Sequence, residues 1–549
     1  MVTKLAATVL AALGLMTGAP AQHASHSTAA KRAHAVMRPR SQPLPVVFVT
    51  GHGWGHGVGL AQYGAYGYAL HGWGFDRIVD HYFPGTTLDQ TQRHSVRVLL
   101  LPNARRVVVS SGSDFSVRDG AGKRHDMTAG SYTVGPDLKV RVAGAQRPRA
   151  LPGPLFFLPG AEPVSLGRRA YRGSLRLKSS RRRLQVVNVV GLEPYLWGVV
   201  PSEMPKRWPA EALAAQAVAA RSYALAHLHR GDFDLYSDTR SQVYGGIAAE
   251  APSTTSAVNE TAGQVALYDS EVADTFFFSS SGGRTANVQD VWAGSDPVPY
   301  LVSVQDPYDT LSPYHNWGPL RFGSSMIAKR LRVPGQVVDF RADVASSGRV
   351  RTITLVGRNG ERTVTGSAVR AALGLRSTWF RLGLLSLVGP GSPVVYGSPA
   401  RLTGTTRGVR SVTLEAKAYG AAWKAVGRLR VVNGAVAARV RPRLTTDYRL
   451  QSGGFRSGVV RVAVAPLVRL SAGQDGVSVS GTARPLLPGA SVEVQRLESG
   501  AWQTVGTTAI DANGAFAVQV DLRPGSYRAR VVAGRGFAVG ISETMVVTQ

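Results

Sequence analysis

The sequence contains no cysteine. That excludes disulfides, thiolate-ligated zinc, iron–sulfur clusters and thiol nucleophiles. Acidic residues are few, 34 Asp and Glu against 63 Lys and Arg, for a net charge of +29. Lysine is scarce as well, with nine residues, so the positive excess is nearly all arginine. No apolar run reaches the ~20 residues that a bilayer-spanning helix needs, so no transmembrane segment is expected. No Gly-x-Ser-x-Gly elbow occurs to present a serine nucleophile. What is present is glycine and proline, 62 and 31 residues, which points to many turns and β-rich architecture. Hydrophobic residues make up 44% and charged residues 18% of the 549, so the chain can bury sizeable cores. At roughly 150 residues per domain the length suggests three or four domains.

The arginines are spread along the whole chain, with one dense run at Arg181, Arg182 and Arg183. A nucleic-acid binder would focus them on one helix or stripe, so no nucleic-acid partner is expected. Two readings remain: solvated basic faces, or affinity for a polyanion such as an anionic wall polymer or membrane surface. The N-terminus favours the outside of the cell. Lys4 precedes an apolar run, Leu5 to Met16, and then Ala19-Pro20-Ala21. That order describes a secretory signal peptide over 1–21, cut after Ala21. Residues 22–45, polar and basic, read as a disordered linker.

Residues 95–190 read as short strands, among them Val96–Leu101, Arg106–Ser110, Ser174–Leu177 and Leu184–Val190. The strongest helix signal follows, Pro209 to Leu228, Ala-rich and closed by Gly231. A Gly/Pro/Ser stretch near Val388–Pro393 marks a boundary. Beyond it the sequence repeats: Trp423 and Trp502 are 79 residues apart, as are Tyr448-Arg449 and Tyr527-Arg528. Asn433-Gly434 and Asn513-Gly514 suit hairpin turns. Two tandem Ig-like β-sandwich modules, 391–468 and 469–549, fit this spacing.

Three segments carry possible chemistry. In Gly51-His-Gly-Trp-Gly-His-Gly-Val-Gly59, glycine takes every second place. An extended backbone would put the glycines on one face and His52, Trp54, His56 and Val58 on the other. Either His52 and His56 line a polar cleft, or the bare face serves close packing. No carboxylate pattern nearby completes a ligand set, so no metal or other cofactor is expected. In the second segment Glu203 lies in a Pro-flanked loop, Val199 to Trp208, among apolar residues. Such a setting raises a carboxyl pKa, as a general acid requires. Arg221 is a lone charge on the apolar helix that follows, either in a structural ion pair or at the site. The third segment is Phe276-Phe-Phe-Ser-Ser-Ser-Gly-Gly-Arg-Thr285, whose serines could meet sugar hydroxyls or satisfy a turn.

Several motifs in order now converge. Ser202-Glu-Met204, Ala215 to Tyr223, Asp238-Thr239, Gln242-Val-Tyr-Gly245, Ser279–Thr285, Val291-Trp292, Pro299-Tyr300-Leu301 and Asp306-Pro307 resemble the stage II sporulation protein D / LytB (SpoIID/LytB domain) family. The resemblance covers about residues 46–390. It implies an α+β SpoIID-like core with a β-rich insertion: a Gly/His motif over 46–90, a β-rich part over 95–170 and a core over 171–390. The Gly/His motif often ends this domain in the family. Here it comes first, which looks like a wrapped arrangement that should dock onto the same core. The resemblance also implies cleavage of peptidoglycan glycan strands by lytic transglycosylation. Glu203 would then be the acid, with Arg221, Gln242, Phe277, Ser280 and Ser281 at the glycan and His52 or His56 at the cleft rim. Phe277 and Ser280 depart from the Tyr and Asn that sporulation members tend to have. The rival expectation is a non-catalytic wall-binding protein that assists an amidase partner.

Overall fold

The computed structural model describes residues 43–548, apart from 293, 474–476 and 535. The signal peptide expected over 1–21 and nearly all of the linker expected over 22–45 lie outside the described residues. The architecture is mixed α/β, an α+β core joined to several β-sheet modules.

Alternating apolar residues make the β-rich part. In the strand Arg183–Gly191, Leu184, Val186 and Val190 are buried. Asn188 shares their side, and its amide is fully used: it donates to the carbonyls of Arg172 and Ser174 and accepts from the Tyr244 hydroxyl. This strand pairs antiparallel with Ser95–Ala104 and Ser174–Ser180 in a seven-stranded sheet.

Two helices stand on that sheet. The first two helices of the chain, α1 (Gln62–Leu70) and α2 (Phe75–Tyr82), come from the Gly/His motif. Next are α3 (Leu192–Glu203) and α4 (Ala210–Ala226). Here the structure corrects the sequence reading. Glu203 is not in a loop but is the last residue of α3. Leu192, Tyr195, Leu196, Val199 and Val200 are all buried, and their spacing is helical. That burial carries the helix through Pro201, which sits near its end. The chain turns out at Pro205 and re-enters α4, whose alanines let nearly every face pack.

The N-terminal strand Val46–His52 lies between Asn316–Gly323 and Phe380–Val388, antiparallel to both. The motif that comes first in sequence is thereby seated beside the strand that closes the core. α1 and α2 pack on α4: Leu60, Ala65, Ile78, Val79 and Tyr82 share one cluster with Met204, Leu213 and Val218. The glycine run itself is not extended, as the alternation had suggested. Gly53, Gly55, Gly57 and Gly59 have φ of 70°, 126°, 95° and 77°, the region that favours glycine. The close approach is nevertheless present. A Cβ on Gly59 would lie 2.2 Å from the Phe276 carbonyl oxygen, and one on Gly53 2.5 Å from that of Ser280.

The stretch near 388–393 does not separate independent bodies. Phe380–Val388 also pairs with Ala400–Arg407, so one five-stranded sheet continues from the N-terminal strand to Ala435–Val440. Phe48 stacks on Phe455, with ring centroids 3.8 Å apart. The 79-residue repeat has a physical counterpart. Arg449 lies over the Trp423 ring at 3.9 Å and Arg528 over Trp502 at 4.2 Å. Asn433 and Gly434 both take positive φ, as a tight hairpin turn requires, whereas at the second turn only Gly514 does. No described helix is long and apolar enough to cross a membrane.

Candidate functional site

Glu203 closes α3 half-exposed, with Met204 buried beside it. Burial raises its pKa above the usual carboxylate range. The backbone N–H of Val243 and the side-chain amide of Gln62 pull the other way, favouring the charged form. Gln62 begins α1, and its amide also donates to Gln216 Oε1 on α4 at 3.4 Å. Trp208 covers the same corner. Tyr66 stacks on it at 4.7 Å and Tyr63 meets its edge at 4.9 Å. So the docked N-terminal segment brings a polar group toward Glu203 and packs its rings on Trp208, in the cluster that holds Met204. The arrangement is a carboxyl that holds its proton more readily than a free glutamate and still reaches solvent.

The residues expected around the glycan fall into different places. Gln242 is buried; its amide donates to the Ala220 carbonyl and accepts from the Tyr195 hydroxyl. It braces the backbone whose next N–H favours the charged form of Glu203. Arg221 has no exposed side-chain surface. Its guanidinium pairs with Glu193, Nε to Oε1 at 3.0 Å, and donates to the carbonyls of Gln264 and Val258. The partner is Glu193, not Asp238, which is bound to Arg240. No face of Arg221 is left for a ligand, a correction to its expected place at the glycan.

Phe277 is half-exposed and meets the edge of Tyr223 at 6.0 Å. Ser280 and Ser281 are buried in the turn, another departure from the expected contact with sugar. The Ser280 hydroxyl donates to Asp309 Oδ2 at 3.0 Å, and the Ser281 backbone N–H donates to Oδ1 at 2.8 Å. The Ser281 hydroxyl accepts from the Gly283 N–H.

The two histidines differ. His56 receives the Val58 N–H on Nδ1 and donates from Nε2 to the Phe277 carbonyl at 2.9 Å. Phe276, Phe278 and Trp292 enclose it, and burial lowers its pKa to about 4. It is a neutral brace with both nitrogens engaged. His52 packs on Trp379, and burial lowers its pKa too. It neighbours His315, near the Trp54 end of the turn rather than Glu203.

Sequence reasoning gave no role to Gln62, met Tyr223 only as the end of a motif and overlooked Asp274. Burial first, then the charges of Asp274 and Glu203, raise the Tyr223 hydroxyl to about 12. The available signal was an acid, Asp274, two residues ahead of an aromatic run. Among the described residues no group of three or more His, Asp or Glu is placed to hold a metal ion.

The same region is matched in comparisons with known proteins. The family model described as stage II sporulation protein (SpoIID) matches residues 180–268, which include α3, Glu203 and α4. An uncharacterized protein of Brachyspira hyodysenteriae is 39% identical over 138 residues, covering 24% of this chain and 37% of that protein. The amidase enhancer of Bacillus subtilis is 40% identical over 114 residues, 21% of this chain and 15% of that protein. The chain thus spans well under two thirds of either. Stage II sporulation protein D of Bacillus subtilis is 30% identical over 236 residues, 38% of this chain and 68% of that protein. A solved two-domain fibronectin type-III segment of chicken tenascin aligns with 30% of this chain and 98% of itself, at 12% identity. Its TM-score of 0.21 is too low to carry an argument. With 68% of stage II sporulation protein D matched and its family model found across α3 and α4, the chain belongs to the stage II sporulation protein D family.

Proposed function

We propose that the chain is exported and acts on peptidoglycan glycan strands through the Glu203 cleft, as a lytic transglycosylase. The observation that carries this reading is Glu203 itself, a solvent-reaching carboxyl whose burial favours the protonated form. Its proton passes to the glycosidic oxygen as the C1–O bond breaks. The sugar's own 6-hydroxyl then closes onto C1, and its proton returns to the Glu203 carboxylate. A 1,6-anhydro ring and a free 4-hydroxyl result, and no water is consumed. One carboxyl suffices, unlike the pair used by most glycosidases. The test is digestion of peptide-stripped glycan strands, followed by mass analysis for anhydro ends.

A second reading has its own support. One relative is named an amidase enhancer, which speaks for a non-catalytic, amidase-assisting role more directly than any comparison speaks for cleavage. On that reading the cleft binds glycan without cutting it, and the chain stimulates an amidase partner. The net charge of +29 supports contact with anionic wall polymers on either reading. The two C-terminal β modules, read as Ig-like sandwiches, would add wall-facing surface.

A further inference from the structure

Asp274 offers a second polar position on the wall that carries Glu203. It follows the short strand Glu271–Val272 and precedes the aromatic run. Its backbone N–H donates to the Tyr300 hydroxyl at 3.0 Å. Its Oδ1 is buried and has no hydrogen-bond partner. Oδ2 faces outward, 3.5 Å from Nε2 of His227 at the end of α4, and each of these side chains is about a third exposed.

The rings around this pair form a wall. His227 stacks on Tyr223 with centroids 4.0 Å apart. Phe276 meets both rings edge-on, at 5.7 and 5.8 Å. Tyr223 leads from this wall toward Glu203: its ring meets the edge of Phe277 at 6.0 Å, Phe277 pairs with Leu60, two residues before Gln62, and both carboxyls act on the Tyr223 hydroxyl. A carboxyl kept only for structure is normally satisfied by hydrogen bonds; here one oxygen is not. Aromatic faces with a few convergent polar groups are what a ligand site requires. The ligand class that fits is a saccharide, with C–H faces for the rings and a hydroxyl for the acid, beside the imidazole whose Nδ1 donates to the Tyr223 carbonyl at 3.0 Å.

We propose that Asp274, His227 and Tyr223 form a saccharide-binding position next to Glu203, which takes a neighbouring sugar ring of the same strand. The proposal rests on the glycan-binding part of the function above and holds whether or not the strand is cut. Burial raises the Asp274 pKa to about 7. The titratable groups facing it are His227 and Tyr223 from α4 and Tyr300 from the loop opposite, and Glu203 acts on the same Tyr223 hydroxyl. Below neutrality the acid is uncharged and donates to a hydroxyl without desolvating a carboxylate, so saccharide binds more tightly on the acid side.

The test uses the full chain carrying Glu203→Gln, which binds without turnover. The probes are N-acetylglucosamine tetramer and peptide-stripped glycan strands, titrated calorimetrically at about pH 5.5 and about pH 8, on either side of the Asp274 range. Asp274→Ala should weaken binding at the lower pH by about tenfold, the worth of one hydrogen bond. Asp274→Asn, which keeps a donor and cannot titrate, should retain affinity and flatten the pH dependence. Parent-like binding by folded Asp274→Ala overturns the proposal, as does parent-like pH dependence in Asp274→Asn. If Asp274→Ala does not fold, the Asn variant decides. A wild-type chain that never cuts glycan, yet binds in an Asp274-dependent way, removes the transglycosylase reading and leaves this position standing. Cleavage with Asp274-independent binding removes this position alone.

Discussion

The side-chain amide of Gln62, the first residue of α1, lies close enough to the carboxyl of Glu203, the last residue of α3, to lower its pKa. One partner comes from the N-terminal motif and the other from the core, so docking of that motif and tuning of the acid are one structural event. The amide favours the charged form and lowers a pKa that burial has raised.

The first prediction follows from the sign of that contact. Gln62→Met removes the donor and keeps an unbranched side chain. The Glu203 pKa should rise further. An acid is active while protonated, so the alkaline limb of the glycan-cleavage profile should move to higher pH, by about one unit or less for one neutral donor. A limb that stays in place, or moves down, would separate Gln62 from the acid.

Arg221 supplies the second. Its guanidinium is fully buried against Glu193. Arg221→Met leaves Glu193 without its cation, and breaking such a pair costs about 3–5 kcal/mol. Thermal melting should fall accordingly, while activity per folded molecule persists. A variant that melts like wild type and loses glycan binding would return Arg221 to the site.

The third concerns Asp306, a fully buried carboxyl that lies beside the Tyr82 and Ser281 hydroxyls. Burial raises its pKa to about 7, and the neighbouring Asp309 adds to the shift. The folded state then holds a proton that the unfolded state releases above about pH 4. Its stabilising contribution is complete below that and is lost as pH rises to about 7, at no more than about 1.4 kcal/mol per unit. Melting curves should show stability falling across this window, and Asp306→Asn should flatten the slope. An unchanged slope in the variant would assign the dependence to other groups.

Truncation gives the fourth. Cutting after residue 390 removes the strand Ala400–Arg407 and uncovers Phe48, Leu385 and Leu387. Each exposed side chain forfeits about 1.5–3 kcal/mol, so residues 43–390 should aggregate or melt early. Cutting after Pro466 leaves that cluster whole and should give a soluble chain. A stable, soluble 43–390 fragment would contradict the shared sheet.

Much of this organisation was legible because it rests on local pattern. Alternation in Leu184, Val186 and Val190 gave the strand, and a Gly-free alanine run gave α4. The 79-residue spacing recurs in the structure as two Trp–Arg stacks, which the spacing alone did not show. The errors have physical causes as well. Pro201 and Pro205 read as loop signals, yet five buried residues at helical spacing carry α3 to Glu203. Alternating glycines read as an extended face, while the φ values of Gly53, Gly55, Gly57 and Gly59 put these four at a backbone shape that favours glycine. The linker near 390 read as a break because composition says nothing of strand pairing across it. Asp274 passed unnoticed because only the fold brings His227 and Tyr223 to it.

The most direct measurement is digestion of peptide-stripped glycan strands by the wild-type chain and by Glu203→Gln, with products resolved by mass. Loss of a general acid costs about 10²–10⁴-fold in rate. The account predicts anhydro-ended fragments from wild type, and from a normally folded Glu203→Gln a yield reduced by that factor or below detection. Equal yields from the two proteins would contradict it, and so would the absence of anhydro ends from wild type.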